Sequence, residues 1–303
     1  MGGMSMDIKV GDLVGRKSYD CDIVFRVHDI IKQSDKIVII LKGMNLRIIA
    51  DAPESDVVKL PPSKINEDIR NFEDRAKKLM RKLEKRAKKT TNVMQTGFYR
   101  NEAQFFRRPG KVLHIDGDKN YLDMCMKSYK DLNIDAVGRV VAESEQPKAV
   151  EALLLQYTPD ILVLTGHDAY VKPQQAMNAE QRRKDLSNIN NYKNSKYYME
   201  SVKLARKYEP SLDDLVVFAG ACQSYFEGIM EAGANFASSP ERVLIHALDP
   251  VMVCEKVALT PIDQIVPLKE VLTGTITGLN GVGGVQTRGK YRDGMPKSLY
   301  STV

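Results

Sequence analysis

The sequence predicts an α/β protein with a parallel β-sheet that is covered by helices on both faces and preceded by a small β-barrel. Residues 1–60 contain short β-branched runs separated by turn residues, whereas from Lys111 onward longer apolar runs alternate with helical patterns. Such an alternation is typical of a parallel sheet buried on both sides. A chain of 303 residues with 43% hydrophobic and 28% charged residues has room for two domains and a substantial core.

The first predicted domain, residues 1–60, has the strand count and strand lengths of a small SH3-like β-barrel. Its five runs are VGDLVGRKS, CDIVFRVHDII, KIVIILKG, LRIIAD and DVVKL. We find no pairing of a nucleophile with a base in this segment. We therefore expect a docking domain that takes no part in bond cleavage.

Residues 61–108 are predicted to form a basic helical linker. Apolar residues recur at helical spacing from Ile65 to Leu83, and the stretch from Arg75 to Lys89 is strongly basic. Two interpretations stay open, namely a solvated helix between two domains and a patch for acidic partners.

Residues 109–303 are predicted to form the α/β domain. The predicted strands are KVLHIDGD, DAVGRVVA, DILVLTGHD, DLVVFAGAC and RVLIHALDP, and a helical pattern separates each strand from the next. A Gly-rich tail follows, which we interpret as a mobile tail or hairpin. It lacks the dinucleotide-binding fingerprint because Gln286 stands where the third Gly is needed.

The third and fourth strands end in His167 and Cys222. In a parallel sheet, ligands bind beyond the carboxyl ends of the strands, and consecutive strands are often neighbours. An imidazole beside a thiol can take its proton and activate it as a nucleophile. Taken singly, Cys222 is better explained as a small buried residue and His167 as a loop residue. Their coincidence at adjacent strand ends favours a catalytic pair.

These motifs resemble known peptidases. An apolar strand ending in His and a later one ending in Ala-Cys resembles the caspase and legumain type, in which the two residues lie about 50 apart; here the separation is 55. The segments VGDLVGRKSYDCDIVFRV, LTGHDAY and FAGACQSYFEGI extend the resemblance over nearly the whole chain, to the YabG family of sporulation-specific cysteine proteases. The resemblance implies a caspase-like fold.

The resemblance also implies a cysteine endopeptidase in which Cys222 attacks the peptide and His167 acts as acid and base. The backbone N–H groups of Asp168 and Cys222 would stabilise the oxyanion. The caspase group has Gly directly after the His, whereas this chain has Asp168 there, whose side chain would either crowd the site or orient His167.

The implied substrates are spore coat and cortex-associated proteins, cleaved after Arg in the mother-cell cytoplasm, where the enzyme is associated with the forming coat. An Arg pocket needs a carboxylate. Asp249 is our candidate, although a cap or turn role before Pro250 explains it equally well. Arg288 and Arg292 are candidate self-cleavage sites.

We expect no cofactor, no metal site and no membrane contact. The four cysteines are scattered without Cys-x-x-Cys spacing, and no apolar run is long enough to cross a bilayer. We expect no nucleic acid as a partner at a net charge of only +6. Two alternatives stay open: a non-catalytic scaffold or nucleic-acid binder using the barrel and the basic helix, and a receiver-like domain using Asp116 and Asp118.

Overall fold

The computed structural model describes residues 8–33, 36–96, 106–171 and 178–294. The N-terminal part is a five-stranded sheet in the order β4-β3-β2-β1-β5, and all of its strand pairs are antiparallel. Its strands are β1 (Leu13–Arg16), β2 (Phe25–Gln33), β3 (Lys36–Gly43), β4 (Ile49–Pro53) and β5 (Val57–Lys59).

A long helix, α1 (Pro62–Thr96), follows the antiparallel sheet. Its proline start and its run of good helix formers agree with the sequence pattern. Leu83 is buried in a core cluster of the α/β part, and the Phe72 ring stacks on His246 with centroids 3.9 Å apart. The helix therefore packs against the α/β part between Phe72 and Leu83.

The α/β part is built on a six-stranded sheet in the order β12-β11-β10-β9-β7-β8. Its strands are β7 (Val112–Asp116), β8 (Ala136–Val140), β9 (Ile161–Thr165), β10 (Val216–Ala219), β11 (Phe236–Ser238) and β12 (Val282–Gly284), and a separate pair joins β6 (Phe106–Arg108) to β13 (Arg292–Gly294). β12 pairs antiparallel with β11, whereas the other five strands are parallel. The strand order changes direction between β7 and β9, which is the switch point where ligands bind in sheets of this kind.

Helices cover both faces of this sheet, as the sequence predicts. They are α2 (Lys119–Asp131), α3 (Gln146–Tyr157), α5 (Ser195–Tyr208), α6 (Phe226–Glu231), α7 (Asp249–Leu259) and α8 (Leu268–Thr273). The polar helix α4 (Ala179–Leu186) contributes no described residue to the apolar clusters on the sheet. One apolar cluster joins the sheet to α2 and α7, and a second joins it to α3, α5 and α6. Among the described residues, none of the helices has the length and apolar character needed to cross a bilayer.

Two predictions about the C-terminal part are wrong. The segment RVLIHALDP is not a strand: the fifth parallel strand is β11, and α7 begins at Asp249 because Asp-Pro starts a helix readily. The Gly-rich segment is ordered as far as it is described, since β12 and β13 both pair with other strands. Small residues suit β12, where a Cβ on Gly284 would lie 2.5 Å from the Asn235 carbonyl oxygen.

A third apolar cluster connects the two parts of the molecule. Ala169, Cys222 and Ile245, at the carboxyl edge of the parallel sheet, are buried together with side chains of the antiparallel sheet. The residues contributed by the antiparallel sheet and its connections are Val14, Phe25, Val27, Ile39, Leu41, Ile48, Ala52 and Val57. The antiparallel sheet therefore covers the edge at which His167 and Cys222 lie.

Candidate active site

His167 and Cys222 follow strands that are direct neighbours. β9 and β10 pair in parallel, with Leu164 opposite Ala219, so both residues emerge at the same edge of the sheet. Both are completely buried. The structure thus places the two predicted catalytic residues at one edge, next to the switch point.

The space beyond this edge is filled by the connection between β3 and β4, residues 44–48, which we call the site loop. The backbone N–H groups of Asp168 and Cys222 both donate hydrogen bonds to the carbonyl oxygen of Arg47, at 3.2 and 3.1 Å. These are the two donors that sequence reasoning assigned to the oxyanion. The site loop also pairs with both sides of the cleft, since Leu46 bridges His246 and Ile48 bridges Asp168.

The side chain of Arg47 lies in a closed pocket at the switch point and is completely buried. Its Nη1 lies 2.7 Å from Asp116 Oδ2, at the end of β7. Its Nη2 donates to the carbonyl oxygen of Ala247 at 3.1 Å and contacts Cys125 Sγ at 3.6 Å. The Tyr121 ring lies 4.9 Å from the guanidinium carbon. Charge, hydrogen bonds and shape in this pocket all suit a guanidinium.

The ion pair holds both groups charged. Burial alone would raise the pKa of Asp116, but the Arg47 charge and hydrogen bonds from neighbouring groups, His114 among them, outweigh it and lower this pKa. Burial alone would lower the pKa of Arg47, but the attraction of Asp116 raises it. Removing either partner would leave an uncompensated charge in a buried site.

The Cys222 thiol lies between the site loop and the segment before α7. Its Sγ accepts a hydrogen bond from the Ile245 N–H at 3.2 Å and donates to the carbonyl oxygen of the same residue at 3.7 Å. Burial raises the pKa of the thiol to about 12, against the lowering effects of that N–H and of the Arg47 charge. With the site loop in place, the thiol is protonated at neutral pH.

Two carboxylates flank the imidazole of His167. Glu143 Oε1 lies 3.5 Å from Nδ1, and Asp118 Oδ2 lies 3.7 Å from Nε2. Glu143 also accepts a hydrogen bond from the His167 backbone N–H at 2.7 Å. Its close approach requires glycine at position 166, where a Cβ would lie 2.3 Å from Glu143 Oε1. Burial would raise the pKa of Glu143, but the imidazole and backbone N–H groups lower it, so the carboxylate stays available to orient the ring.

The Asp168 side chain points away from the Arg47 carbonyl. Its carboxylate accepts hydrogen bonds from Ser195 Oγ at 2.5 Å and Ser224 Oγ at 2.8 Å. It also accepts from the Asn194 N–H at 2.7 Å and from the N–H of Ala169 at 2.9 Å. Burial raises the pKa of Asp168 to about 6, although these hydrogen bonds oppose the shift. This carboxylate ties the end of β9 to the start of α5 and to the segment after Cys222.

Asp249, the sequence-predicted acid of the Arg pocket, makes its hydrogen bonds elsewhere. Its carboxylate accepts from the backbone N–H groups of His246, Ile276 and Thr277 and from the Thr277 hydroxyl. The carboxylate that pairs with Arg47 is Asp116. Asp249 therefore ties the turn before α7 to residues 276–277, in agreement with its interpretation as a turn residue, and it does not cap the helix, whose N-cap is Leu248.

Sequence reasoning did not assign Arg47, Cys125 or Glu143 to the site, and it gave Asp116 and Asp118 a different role. The position of Asp116 after an apolar strand was a usable signal, but its partner comes from a segment 69 residues earlier. Within the described ranges, no group of three or more His, Cys, Asp or Glu side chains is arranged to hold a metal ion.

The fold and the site define an α/β protein that holds a peptide carbonyl between two N–H donors beside a cysteine, as acyl-transfer enzymes do. Residues 9–296 match the family described as YabG peptidase U57, and the chain therefore belongs to this peptidase family.

A curated relative is similar over almost the full length. The sporulation-specific protease YabG of Bacillus subtilis (strain 168) is 41% identical over 298 residues, which cover 96% of this chain and 99% of the relative. The resemblance to the YabG family inferred from the sequence motifs is thereby confirmed. No solved structure matches the chain.

Proposed function

We propose that the protein is a cysteine endopeptidase that cleaves after Arg, with Cys222 as nucleophile and His167 as acid and base. The observation that carries the proposal is the pair of hydrogen bonds from Asp168 N and Cys222 N to one peptide carbonyl oxygen. Two converging donors next to a cysteine are what a thiol peptidase needs to stabilise a tetrahedral oxyanion.

The occupied pocket supports specificity for Arg. Asp116 would receive the guanidinium of the residue before the cleaved bond, as it receives Arg47. The Ala247 carbonyl and the Tyr121 ring add a directional acceptor and an aromatic face. A Lys ammonium is a compact charge without the planar fork that reaches several partners at once, so Lys is expected to be a poorer substrate residue.

In the proposed mechanism the thiol proton passes to His167 as Cys222 Sγ attacks the carbonyl carbon after which the chain is cut. The N–H groups of Asp168 and Cys222 hold the developing oxyanion, at about 2.7–4 kcal/mol per donor. The imidazolium then protonates the leaving amine. Water hydrolyses the thioester, and His167 takes the proton of that water. Glu143 and Asp118 flank the two ring nitrogens and would orient the ring.

The relative's name supports a role in sporulation. We infer that the substrates are proteins of the spore coat and cortex, and that the enzyme acts in the mother cell at the forming coat. A net charge of +6 allows association with acidic protein surfaces and does not require a nucleic-acid partner. No cofactor enters the proposed reaction.

The test is hydrolysis of fluorogenic peptides with Arg, Lys or citrulline before the cleaved bond. The wild-type enzyme is expected to prefer Arg. Cys222→Ala is expected to abolish hydrolysis. His167→Ala is expected to lose nearly as much activity, because removing one member of a working catalytic pair lowers the rate almost as much as removing both. Cys254→Ala is the matched control, since this buried thiol lies in α7, within another core cluster.

The Cys254→Ala control should keep peptide hydrolysis, reduced only by the fraction of protein that the buried cavity leaves unfolded. Hydrolysis by Cys222→Ala at the wild-type rate would rule out the thiol mechanism. Equal rates for all three peptides would rule out an acidic pocket.

A further inference from the structure

The site loop is bound in the way a substrate segment would be. Leu46 pairs with His246 in antiparallel fashion before Arg47, and Ile48 bridges Asp168 after it. Between them, the Arg47 carbonyl oxygen receives both N–H donors. An isolated antiparallel bridge before the carbonyl and an isolated parallel bridge after it, together with the two donors, position one particular peptide bond, Arg47–Ile48.

Stability alone does not explain why the Arg47 side chain is completely buried. A buried ion pair is weak evidence for stability, because an apolar side chain of similar volume often serves as well. Here the pair nevertheless places a loop side chain at the carboxyl ends of β7 and β9, against Asp116 and next to the Tyr121 ring. The Tyr121 hydroxyl lies within hydrogen-bond distance of the carbonyl oxygens of Gly43 and Leu46, and its single proton can be shared between them, which helps to fix the approach of the site loop. This arrangement is expected if the pocket reads Arg as a recognition residue.

The site loop excludes every other substrate from the thiol. Cys222 is completely buried, and side chains of the antiparallel sheet share its apolar cluster. The two N–H donors are both engaged by Arg47. A substrate from outside therefore needs the site loop to leave.

We propose, on the basis of the function proposed above, that Arg47–Ile48 is the first bond the enzyme cuts, within its own chain, and that this cut opens the site. Cys222 Sγ bonds to the Arg47 carbonyl carbon, and its proton passes through His167 to the Ile48 nitrogen as the carbon–nitrogen bond breaks. Water then cleaves the thioester. The products are a carboxylate at Arg47, an amine at Ile48 and a regenerated thiol, with one water consumed.

The cut is expected to open the site without separating the fragments. β3 lies before the cut and β4 after it, and they pair from Val38↔Pro53 to Lys42↔Ile49. β1 likewise pairs with β5 across the cut. The new end at Arg47 is no longer tethered to β4 and can leave the pocket, while the antiparallel sheet stays assembled.

The experiment starts from purified full-length protein, analysed by intact mass and N-terminal sequencing. Wild-type protein is expected to yield fragments 1–47 and 48–303, the second beginning IIADAP, which co-elute in size exclusion and separate only in denaturant. Cys222→Ala and Arg47→Gln are expected to keep this bond intact. Arg288→Gln is the matched control. The Arg288 side chain is more than half exposed and lies beside Asp213. The Arg288→Gln protein is expected to be cut after Arg47 at the same rate as the wild type.

A mixing experiment separates cutting within one chain from cutting between chains. Tagged Cys222→Ala protein incubated with wild type is expected to be cut at least ten-fold more slowly than wild type cuts itself, because its site loop is buried. Equal rates would overturn cleavage within the chain.

A fluorogenic Arg peptide keeps the two proposals distinguishable. Wild-type protein that hydrolyses the peptide while its Arg47–Ile48 bond stays intact would overturn the self-cleavage and leave the proposed function standing. Folded protein that cuts neither the peptide nor itself would overturn both.

Discussion

Two buried aspartates near the site show how little residue type alone decides about function. Asp116 and Asp249 are both completely buried. Burial raises the pKa of Asp249 to about 6, whereas the Arg47 charge helps keep the pKa of Asp116 below its ordinary value. A carboxylate held charged by a guanidinium suits recognition of Arg, and a carboxyl surrounded by backbone N–H groups suits the start of a helix.

This difference predicts that only one of two matched substitutions changes the specificity for Arg. Asp116→Asn should reduce the ratio of kcat/KM for an Arg peptide over its citrulline analogue from about a hundred-fold or more to within ten-fold of unity, because the guanidinium loses its buried counter-charge. Asp249→Asn should leave the ratio unchanged. The ratio is internal to each variant, so it does not depend on how much of the protein is folded. An unchanged ratio in Asp116→Asn would place the specificity acid elsewhere.

At the scale of elements, the sequence contained enough to place the two proposed catalytic residues at neighbouring strand ends. Apolar runs ending in His167 and Cys222, joined by a helical segment, predicted parallel neighbours, and β9 and β10 are neighbours. The Asp168 network was not predictable. It depends on Ser195 and Ser224, which reach the same carboxylate from elements that the sequence gives no reason to bring together. The periodicity of apolar residues predicts strands from local sequence. A side-chain network such as that of Asp168 depends on distances between residues far apart in the sequence, which the local pattern does not contain.

The Asp168 network predicts a pH dependence of stability. The pKa of this carboxyl is about 6 in the folded protein and about 3.8 when exposed, so the folded state holds its proton more tightly. Its contribution to stability is therefore largest below about pH 4 and falls as pH rises through about 6. The free energy of unfolding of Asp168→Asn, relative to wild type, should rise by up to about 3 kcal/mol between pH 4 and 7.

Urea unfolding at several pH values measures this difference, and Cys222→Ala serves as the common background so that neither protein cuts itself. A difference that does not change with pH would mean that the Asp168 carboxyl titrates normally.

At the scale of the whole molecule, the N-terminal sheet is part of the site. The sequence predicted a self-contained docking domain because residues 1–60 contain no nucleophile paired with a general base. Its role in docking stays a prediction. The structure adds that the connection between β3 and β4 reaches the N–H groups of Asp168 and Cys222. The part that the N-terminal sheet plays in the site rests on a single Arg in a loop, Arg47. No pattern within one sequence shows which distant pocket such a side chain enters.

The shared apolar cluster predicts the outcome of removing the N-terminal parts. A chain beginning at Arg108 would expose Ala169, Cys222 and Ile245, which are buried against the antiparallel sheet, and would lose Leu83 from the core. Each large apolar side chain withdrawn from a core costs about 1.5–3 kcal/mol, and typical domains have only about 5–15 kcal/mol of stability. We expect the truncated chain to bind a hydrophobic dye, to unfold without a sharp transition and to lose peptide hydrolysis.

The control is protein that carries all 303 residues and has been cut at Arg47–Ile48. It should bind no dye, unfold cooperatively and hydrolyse peptides, because the cut leaves the apolar cluster in place. A truncated monomer that unfolds cooperatively and cleaves peptides at the wild-type rate would show that the α/β part is complete without the sheet that covers it.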